Sequence, residues 1–160
     1  MEETRYLTIM IQSLEKKVSI LDQISEKNEE QSALFAEHDP DAQEKVDESV
    51  RQKGDLIDQL TQMDDGFHSL YEKVRETLLA DPDRYKDEIA QMQTLIRKIT
   101  EKSMQVQAQE QRNYELADGY FQTAKKYAND KRASHRVAEG YNRNMKKIQV
   151  IEPQFMDRKK

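Results

Sequence analysis

Apolar residues recur at alternating intervals of three and four along most of this chain, and this spacing restricts it to long helices packed side by side. The first such segment extends from about Thr4 to Glu37. Alternate members of the series lie seven residues apart, which is the 3.5-residue period of a coiled coil or a slender bundle. The residues that carry this period are Leu7, Ile11, Leu14, Val18 and Leu21.

Two further segments have the same spacing, one from about Asp41 to Ala80 and one from about Pro82 to Asn129. Pro40 lies between the first two segments, and Asp81 is expected to cap the third helix with Pro82 at its first position. In the second segment the stripe consists of Val46, Val50, Ile57, Leu60, Phe67, Leu70, Val74 and Leu78, with Lys53 and Asp64 at or beside it. In the third it consists of Ile89, Met92, Ile96, Ile99, Val106, Tyr120 and Tyr127.

The composition decides between helices and disorder. Apolar residues make up 36% of the chain and charged residues another 36%, with a mean hydropathy of −1.03. A compact sphere of 160 residues would need more apolar material, whereas long thin helices need only a narrow stripe. Only four Gly and three Pro interrupt the chain, which favours helices. The predicted fold is therefore all-α: an elongated antiparallel three-helix bundle or coiled coil over residues 1–129.

Residues 130–160 form a separate basic segment that is predicted to be a short C-terminal helix or a flexible tail. Residues 125–160 contain 11 Lys/Arg and 4 Asp/Glu, a net charge of +7, so the first 124 residues carry −12. Val137, Tyr141, Met145 and Ile148 are spaced by four, four and three residues, which favours a short amphipathic face that binds a partner helix or folds back on the body as a fourth helix. The predicted protein-binding residues are Val137, Tyr141, Met145, Ile148, Val150, Ile151, Phe155 and Met156.

Two other features have two interpretations each. The third segment becomes polar between Ser103 and Asn113. Here Gln107 and Glu110 lie near positions of the repeat that Leu or Ile occupies earlier in the chain. This stretch is either an internal layer that fixes the helix register or a surface that faces a partner, and the internal layer is favoured. Gly66 indicates either a kink in the second helix or a close approach by a neighbour.

Nothing in the sequence indicates catalysis, and no enzyme activity, metal or cofactor is predicted. The chain has no Cys, and its three His residues lie in different segments, none of them with a convincing set of metal ligands at helical spacing. It also lacks glycine-rich phosphate loops and nucleophile motifs. The acidic body disfavours binding to nucleic acid, and the apolar runs are too short for membrane insertion. With an acidic start and no apolar secretory signal, a cytoplasmic location is expected.

Four stretches resemble a known family. Residues 53–60, KGDLIDQL, are similar to a K-x-x-L-I-x-x-L pattern, and 63–67, MDDGF, followed by Leu70 and Tyr71, to an L-D-x-G-F segment. Ile99 to Asn113 contains a Q-x-x-E-x-x-N pattern, and after Tyr141 the chain ends in 155–160, FMDRKK. These patterns resemble those of the FlgN-type flagellar export chaperones, particularly those of Gram-positive clostridial bacteria.

The resemblance implies a cytoplasmic chaperone that holds hook-associated proteins of the hook–filament junction and delivers them to the export apparatus. In that family the C-terminal region binds the cargo. Two alternatives remain open: a structural coiled-coil or adaptor protein, in which self-association would use the same apolar stripes, and a FliT-type chaperone, whose cargo would be the filament cap protein.

Overall fold

The computed structural model describes residues 2–127 and 131–149, with side chains over 4–126 and 136–148, and these residues confirm the all-α class. Helix α1 is Glu2–Glu37, α2 is Gln43–Ala80, α3 is Lys86–Tyr127 and α4 is Lys131–Gln149. A single turn of 3-10 helix, Pro40–Ala42, precedes α2. At about 1.5 Å per residue, the 42 residues of α3 form a rod of roughly 60 Å.

The 3/4 spacing of buried positions continues without a break through the polar parts of α1 and α3. In α1 it passes from Ile24 through Asn28 and Gln31 to Phe35, all of which are buried. In α3 the buried positions are Met92, Ile96, Ile99, Ser103, Val106, Glu110, Asn113, Ala117, Tyr120 and Ala124. This seven-residue repeat keeps one face of α1 and of α3 inward, whereas in α2 Met63 and Asp64 are only partly buried between the buried Leu60 and Phe67.

Helix α1 packs against α2 and α3, and α4 packs against the same two helices from the other side. Helices α1 and α2 are antiparallel, because Lys17 contacts Asp64 whereas Gln31 contacts Ser49. Helices α1 and α3 are parallel, because Asp22 pairs with Lys102 and Asn28 with Gln109. The contact of Lys147 with Asp58 places α4 along the N-terminal half of α2. The described residues thus have three helices at one end and four at the other.

Asp39 caps the connection between α1 and α2. Its side-chain oxygen accepts a hydrogen bond of 3.0 Å from the backbone N–H of Asp41 and so caps the 3-10 turn. The residue before it, His38, has a φ of 53°, a left-handed conformation that costs a non-glycine residue roughly 1–2 kcal/mol. The turn at Pro40 therefore occurs where the sequence predicts it.

The start of the third helix is four residues later than the sequence predicts, at Lys86 rather than Pro82. Asp81 does not cap it; the backbone N–H of Asp81 instead donates to the carbonyl of Thr77 and closes α2. The physical reason is Tyr85, which is only 4% exposed. Burying this ring stabilises the fold by more than the roughly 1 kcal/mol of an N-cap, so the chain turns inward before α3 begins.

The core consists of two apolar clusters. The larger one occupies the three-helix end and includes Leu14, Leu60 and Ile99, together with Ile148 of α4. The smaller one lies at the four-helix end and is built around Phe35, Tyr120 and Tyr141. Polar side chains are buried between them, at the level where α4 covers the bundle.

Candidate interaction site at helix α4

Helix α4 contributes few side chains to the core. Tyr141 and Ile148 are buried, and Val137 and Met145 are partly buried against the smaller cluster. The ring of Tyr141 meets Phe35 of α1 edge-on, with 5.4 Å between centroids. Complete burial of an apolar side chain stabilises by about 1.5–3 kcal/mol, so this docking is weak relative to the packing of α1, α2 and α3.

Two glycines bring α4 close to α2. A Cβ atom at Gly140 would lie 3.2 Å from Cγ1 of Val50, and one at Gly54 would lie 3.1 Å from Oδ1 of Asn144. Both distances are shorter than ordinary van der Waals contact, so each position favours a residue without a side chain. The two helices therefore meet at reciprocal small-residue positions, one on each helix.

Polar contacts fix the register of α4 on α2. Nδ2 of Asn144 donates a buried hydrogen bond of 2.9 Å to the carbonyl oxygen of Val50. About one turn further along α4, Nζ of Lys147 lies 2.8 Å from Oδ1 of Asp58 at the surface. The hydrogen bond is specific in direction, and the exposed ion pair adds little affinity but favours this register.

A buried ion pair lies beneath α4. Lys53 of α2 is fully buried and pairs with the carboxylate of Glu110 of α3, which is also buried. Nζ of Lys53 also donates a hydrogen bond of 3.2 Å to Oε1 of Gln31, and Nε2 of Gln31 donates to Oγ of Ser49. The charge is thus held by three helices, and Tyr141 covers it from the fourth, with Lys53 Nζ 5.1 Å from the ring centroid.

Burial dominates the electrostatics of this group. It lowers the pKa of Lys53, and the neighbouring Glu110 carboxylate opposes that shift. Burial also raises the pKa of Tyr141, and the charge of Glu110 raises it further. The Tyr141 hydroxyl interacts with this carboxylate, which contributes to the raised pKa, but the two groups do not form a hydrogen bond of normal geometry, so α4 does not fully satisfy the polar groups it covers.

A second set of polar contacts joins α1 to α3 at the same level. Gln109 Nε2 donates to Oγ of Ser25 at 2.9 Å, and Asn28 Nδ2 donates to Oε1 of Gln109 at 3.1 Å. Asn113 Nδ2 donates to the carbonyl oxygen of Asn28 at 2.8 Å. We call the buried side chains that connect the four helices here the polar layer: Asn28, Gln31, Ser49, Lys53, Glu110, Asn113 and Asn144.

The polar layer decides between the two interpretations of the 103–113 stretch. Ser103, Glu110 and Asn113 face the interior, as the internal-layer interpretation predicts, and Gln107 is half-buried. A Cβ added at Gly66 would have no atom within 4 Å, so no neighbour approaches this glycine closely. The close approach occurs instead at Gly54 and Gly140, for which the sequence gives no such expectation.

The structure brings four of the eight predicted binding residues together on one face of α4. Val137, Tyr141, Met145 and Ile148 pack against the body, as expected if the segment folds back as a fourth helix. Binding of a partner by these residues stays a prediction, as does the division into regions 1–129 and 130–160. The other four predicted residues lie outside the described part of the chain: Val150, Ile151, Phe155 and Met156.

Several residues of the polar layer are not identified by a search for apolar side chains. Asn28, Gln31 and Ser49 lie in polar stretches of the sequence, yet all three are buried. The signal that identifies Asn28 and Gln31 is the register itself. Continuing the 3/4 spacing beyond Ile24 leads to positions 28, 31 and 35 regardless of residue type.

The described residues contain no group of three or more His, Asp or Glu side chains placed to hold a metal ion. Within residues 2–127 and 131–149, no helix combines the length and apolar character that crossing a membrane requires.

Comparison with known proteins gives no match: no family model, no curated protein and no solved structure is similar to this sequence.

Proposed function

We propose that this chain is a cytoplasmic chaperone of flagellar type III export that binds hook–filament junction proteins and prevents their premature assembly before secretion. In this proposal α1, α2 and α3 form a stable body, and α4 is the element that exchanges partners. The cargo segment is an amphipathic helix that pairs with the apolar face of α4 once α4 has left the body.

The observation that carries the proposal is the way α4 is bound. It contacts the body as a ligand helix contacts a groove, through the buried Tyr141 and Ile148 and one directional hydrogen bond from Asn144. Two complete and two partial apolar burials stabilise docking by roughly 5–9 kcal/mol, and the cost of ordering the helix offsets most of this. An apolar face held this weakly is accessible to a competing helix.

The resemblance of 53–60, 63–67 and 155–160 to FlgN-type sequences supports the choice of cargo. Residues 53–60 lie beneath α4, the helix that is proposed to bind the cargo. They contribute Lys53, Gly54 and Leu60 to the surface that α4 covers. The FliT-type alternative would change the cargo to the filament cap protein.

The experiment uses two cysteine pairs in a chain that has no other Cys. Asp58→Cys with Lys147→Cys, joined by a short bis-maleimide, ties α4 to α2. Asp22→Cys with Lys102→Cys, joined in the same way, ties α1 to α3 and leaves α4 free, and it replaces a similarly exposed interhelical ion pair.

Binding of purified hook–filament junction proteins and of the filament cap protein is then measured by pull-down for each variant before and after cross-linking. The proposal predicts that the junction proteins bind every form except the one with α4 tied down. Cargo binding that survives the α4 cross-link would contradict the role of α4. Binding of neither cargo by any form would exclude the chaperone and leave the adaptor alternative.

A further inference from the structure

The contacts that hold α4 involve only groups of α4 and of the helices beneath it, so any copy of α4 can satisfy them. Gly140 fits against Val50, the amide of Asn144 donates to the Val50 carbonyl, and Tyr141 covers Lys53. We call the residues of α2 and α3 that receive α4 the α4-docking surface: Val50, Lys53, Gly54, Asp58, Leu60, Val106 and Glu110.

Charge draws this helix toward the body of a second chain as well as its own. Helix α4 contains six Lys/Arg and one Glu, whereas the first 124 residues carry −12. At the edge of the docking surface Arg136 shares a groove with Glu44 and Asp47 of α2, and Lys147 pairs with Asp58. This complementarity attracts an α4 from another molecule.

The three connections between helices differ in sequence. Pro40 and Pro82 stand in the first two, where proline prevents the helix from continuing. The connection between Tyr127 and Lys131 reads Ala-Asn-Asp and has neither Pro nor Gly. This sequence contains no residue that prevents a helix from continuing, and a connection of this kind favours exchange of the terminal element.

From these three observations we infer that the α4-docking surface also accepts helix α4 of a second copy of this chain, so that two chains exchange α4 and form a swapped dimer. Each α4 keeps every contact that it makes within one chain, and the dimer differs from two monomers only at the connection. The inference does not depend on the proposed function.

The test mixes two single-cysteine chains, Asp58→Cys and Lys147→Cys, in the presence of a short bis-maleimide. A swapped dimer joins residue 58 of one chain to residue 147 of the other, and denaturing gels detect the covalent dimer. The control mixture is Asp22→Cys with Lys102→Cys. Residues 22 and 102 lie on α1 and α3, which are not exchanged, so in the swapped dimer each still faces its neighbour in the same chain and no cross-link between chains forms. The double variant Asp58→Cys/Lys147→Cys confirms that the two positions react when both lie in one chain.

The expected result is a covalent dimer from the 58/147 mixture that increases with protein concentration and exceeds that of the control mixture by about tenfold or more. Replacing Asn129 and Asp130 by Ala raises the helix propensity of the connection and should increase the yield. Asp130→Pro should decrease it, because proline disfavours helix at the preceding residue.

Equal yields from the two mixtures would overturn the inference, since they would indicate association without exchange of α4. Absence of a 58/147 dimer at every concentration, with efficient cross-linking in the double variant, would also overturn it. A yield unaffected by both changes to the connection would do the same.

Discussion

At the scale of single residues, Lys53 and Glu110 form a buried ion pair in the middle of the polar layer. Removing two charges from water costs several kcal/mol per ion, and the mutual attraction offsets this cost only when the remaining polar groups are satisfied. Lys53 has the additional acceptor Gln31, whereas the Glu110 carboxylate lies beside an incompletely bonded Tyr141 hydroxyl. The pair therefore fixes the alignment of α2 with α3 more than it stabilises the fold.

Replacing only one partner of this pair should be strongly destabilising. Lys53→Met leaves the Glu110 carboxylate buried without its counter-ion and should lower the free energy of unfolding by about 3–5 kcal/mol. The double variant Lys53→Met/Glu110→Leu should recover most of that loss. Urea unfolding measures both, with the exposed Lys16→Met as a control within about 0.5 kcal/mol of the parent. A double variant no more stable than Lys53→Met would show that the pair itself stabilises the fold.

Tyr120 gives a prediction about alkaline stability. Burial raises the pKa of its hydroxyl to about 12, and the charge of Asp39 adds to the effect. A group with a pKa raised above its unfolded value of 10.0 favours folding while it is protonated. Its contribution is complete below pH 10 and is lost as the pH rises toward 12.

Tyr120→Phe should therefore show a smaller decrease in the free energy of unfolding above about pH 10 than the parent. At neutral pH it should be at least as stable, because the hydroxyl of Tyr120 has no hydrogen-bond partner among the described residues. Urea unfolding across this pH range makes the comparison, with the half-exposed Tyr114→Phe as control. Identical pH profiles for the parent and Tyr120→Phe would show that this residue does not cause the alkaline loss.

At the scale of helices, α2 contains two glycines in different surroundings. A Cβ at Gly66 would meet open space, whereas one at Gly54 would press on the side chain of Asn144. Gly66→Ala should raise the free energy of unfolding by about 0.5–1 kcal/mol through helix propensity alone. Gly54→Ala gains the same propensity but disturbs the hydrogen bond from Asn144 to Val50.

The two variants should therefore separate the stability of the body from the docking of α4. We expect Gly66→Ala to leave amide exchange in α4 unchanged and Gly54→Ala to accelerate it. Urea unfolding followed by hydrogen exchange measures the two quantities on the same samples. If Gly54→Ala slowed exchange in α4 as well as stabilising the body, the close approach at this position would not control docking.

Helix positions could be predicted from the sequence because the seven-residue repeat is strong, but two kinds of feature could not. The start of α3 depends on the burial of Tyr85, a tertiary contact that outweighs the local capping preference of Asp81. The polar layer depends on partners from other helices, so Asn28 and Gln31 look like surface residues when their own helix is considered alone.

At the scale of the whole molecule, the described helices form a body of three and a fourth that is less firmly attached. Helix α1 packs along both α2 and α3, whereas α4 covers only the polar layer and the smaller cluster, with Ile148 reaching the larger one. Both the chaperone proposal and the exchange of α4 between chains require that α4 can leave while α1, α2 and α3 remain folded. Such independent opening is expected for an element with few buried apolar contacts.

Native-state hydrogen exchange of the full chain tests this requirement most directly. Amides of residues 137–148 should exchange at least about 100-fold faster than those at the buried positions of α1, α2 and α3, and should do so without unfolding of the body. Equal protection of α4 and of the three long helices would mean that α4 leaves only when the whole protein unfolds. That result would contradict the account.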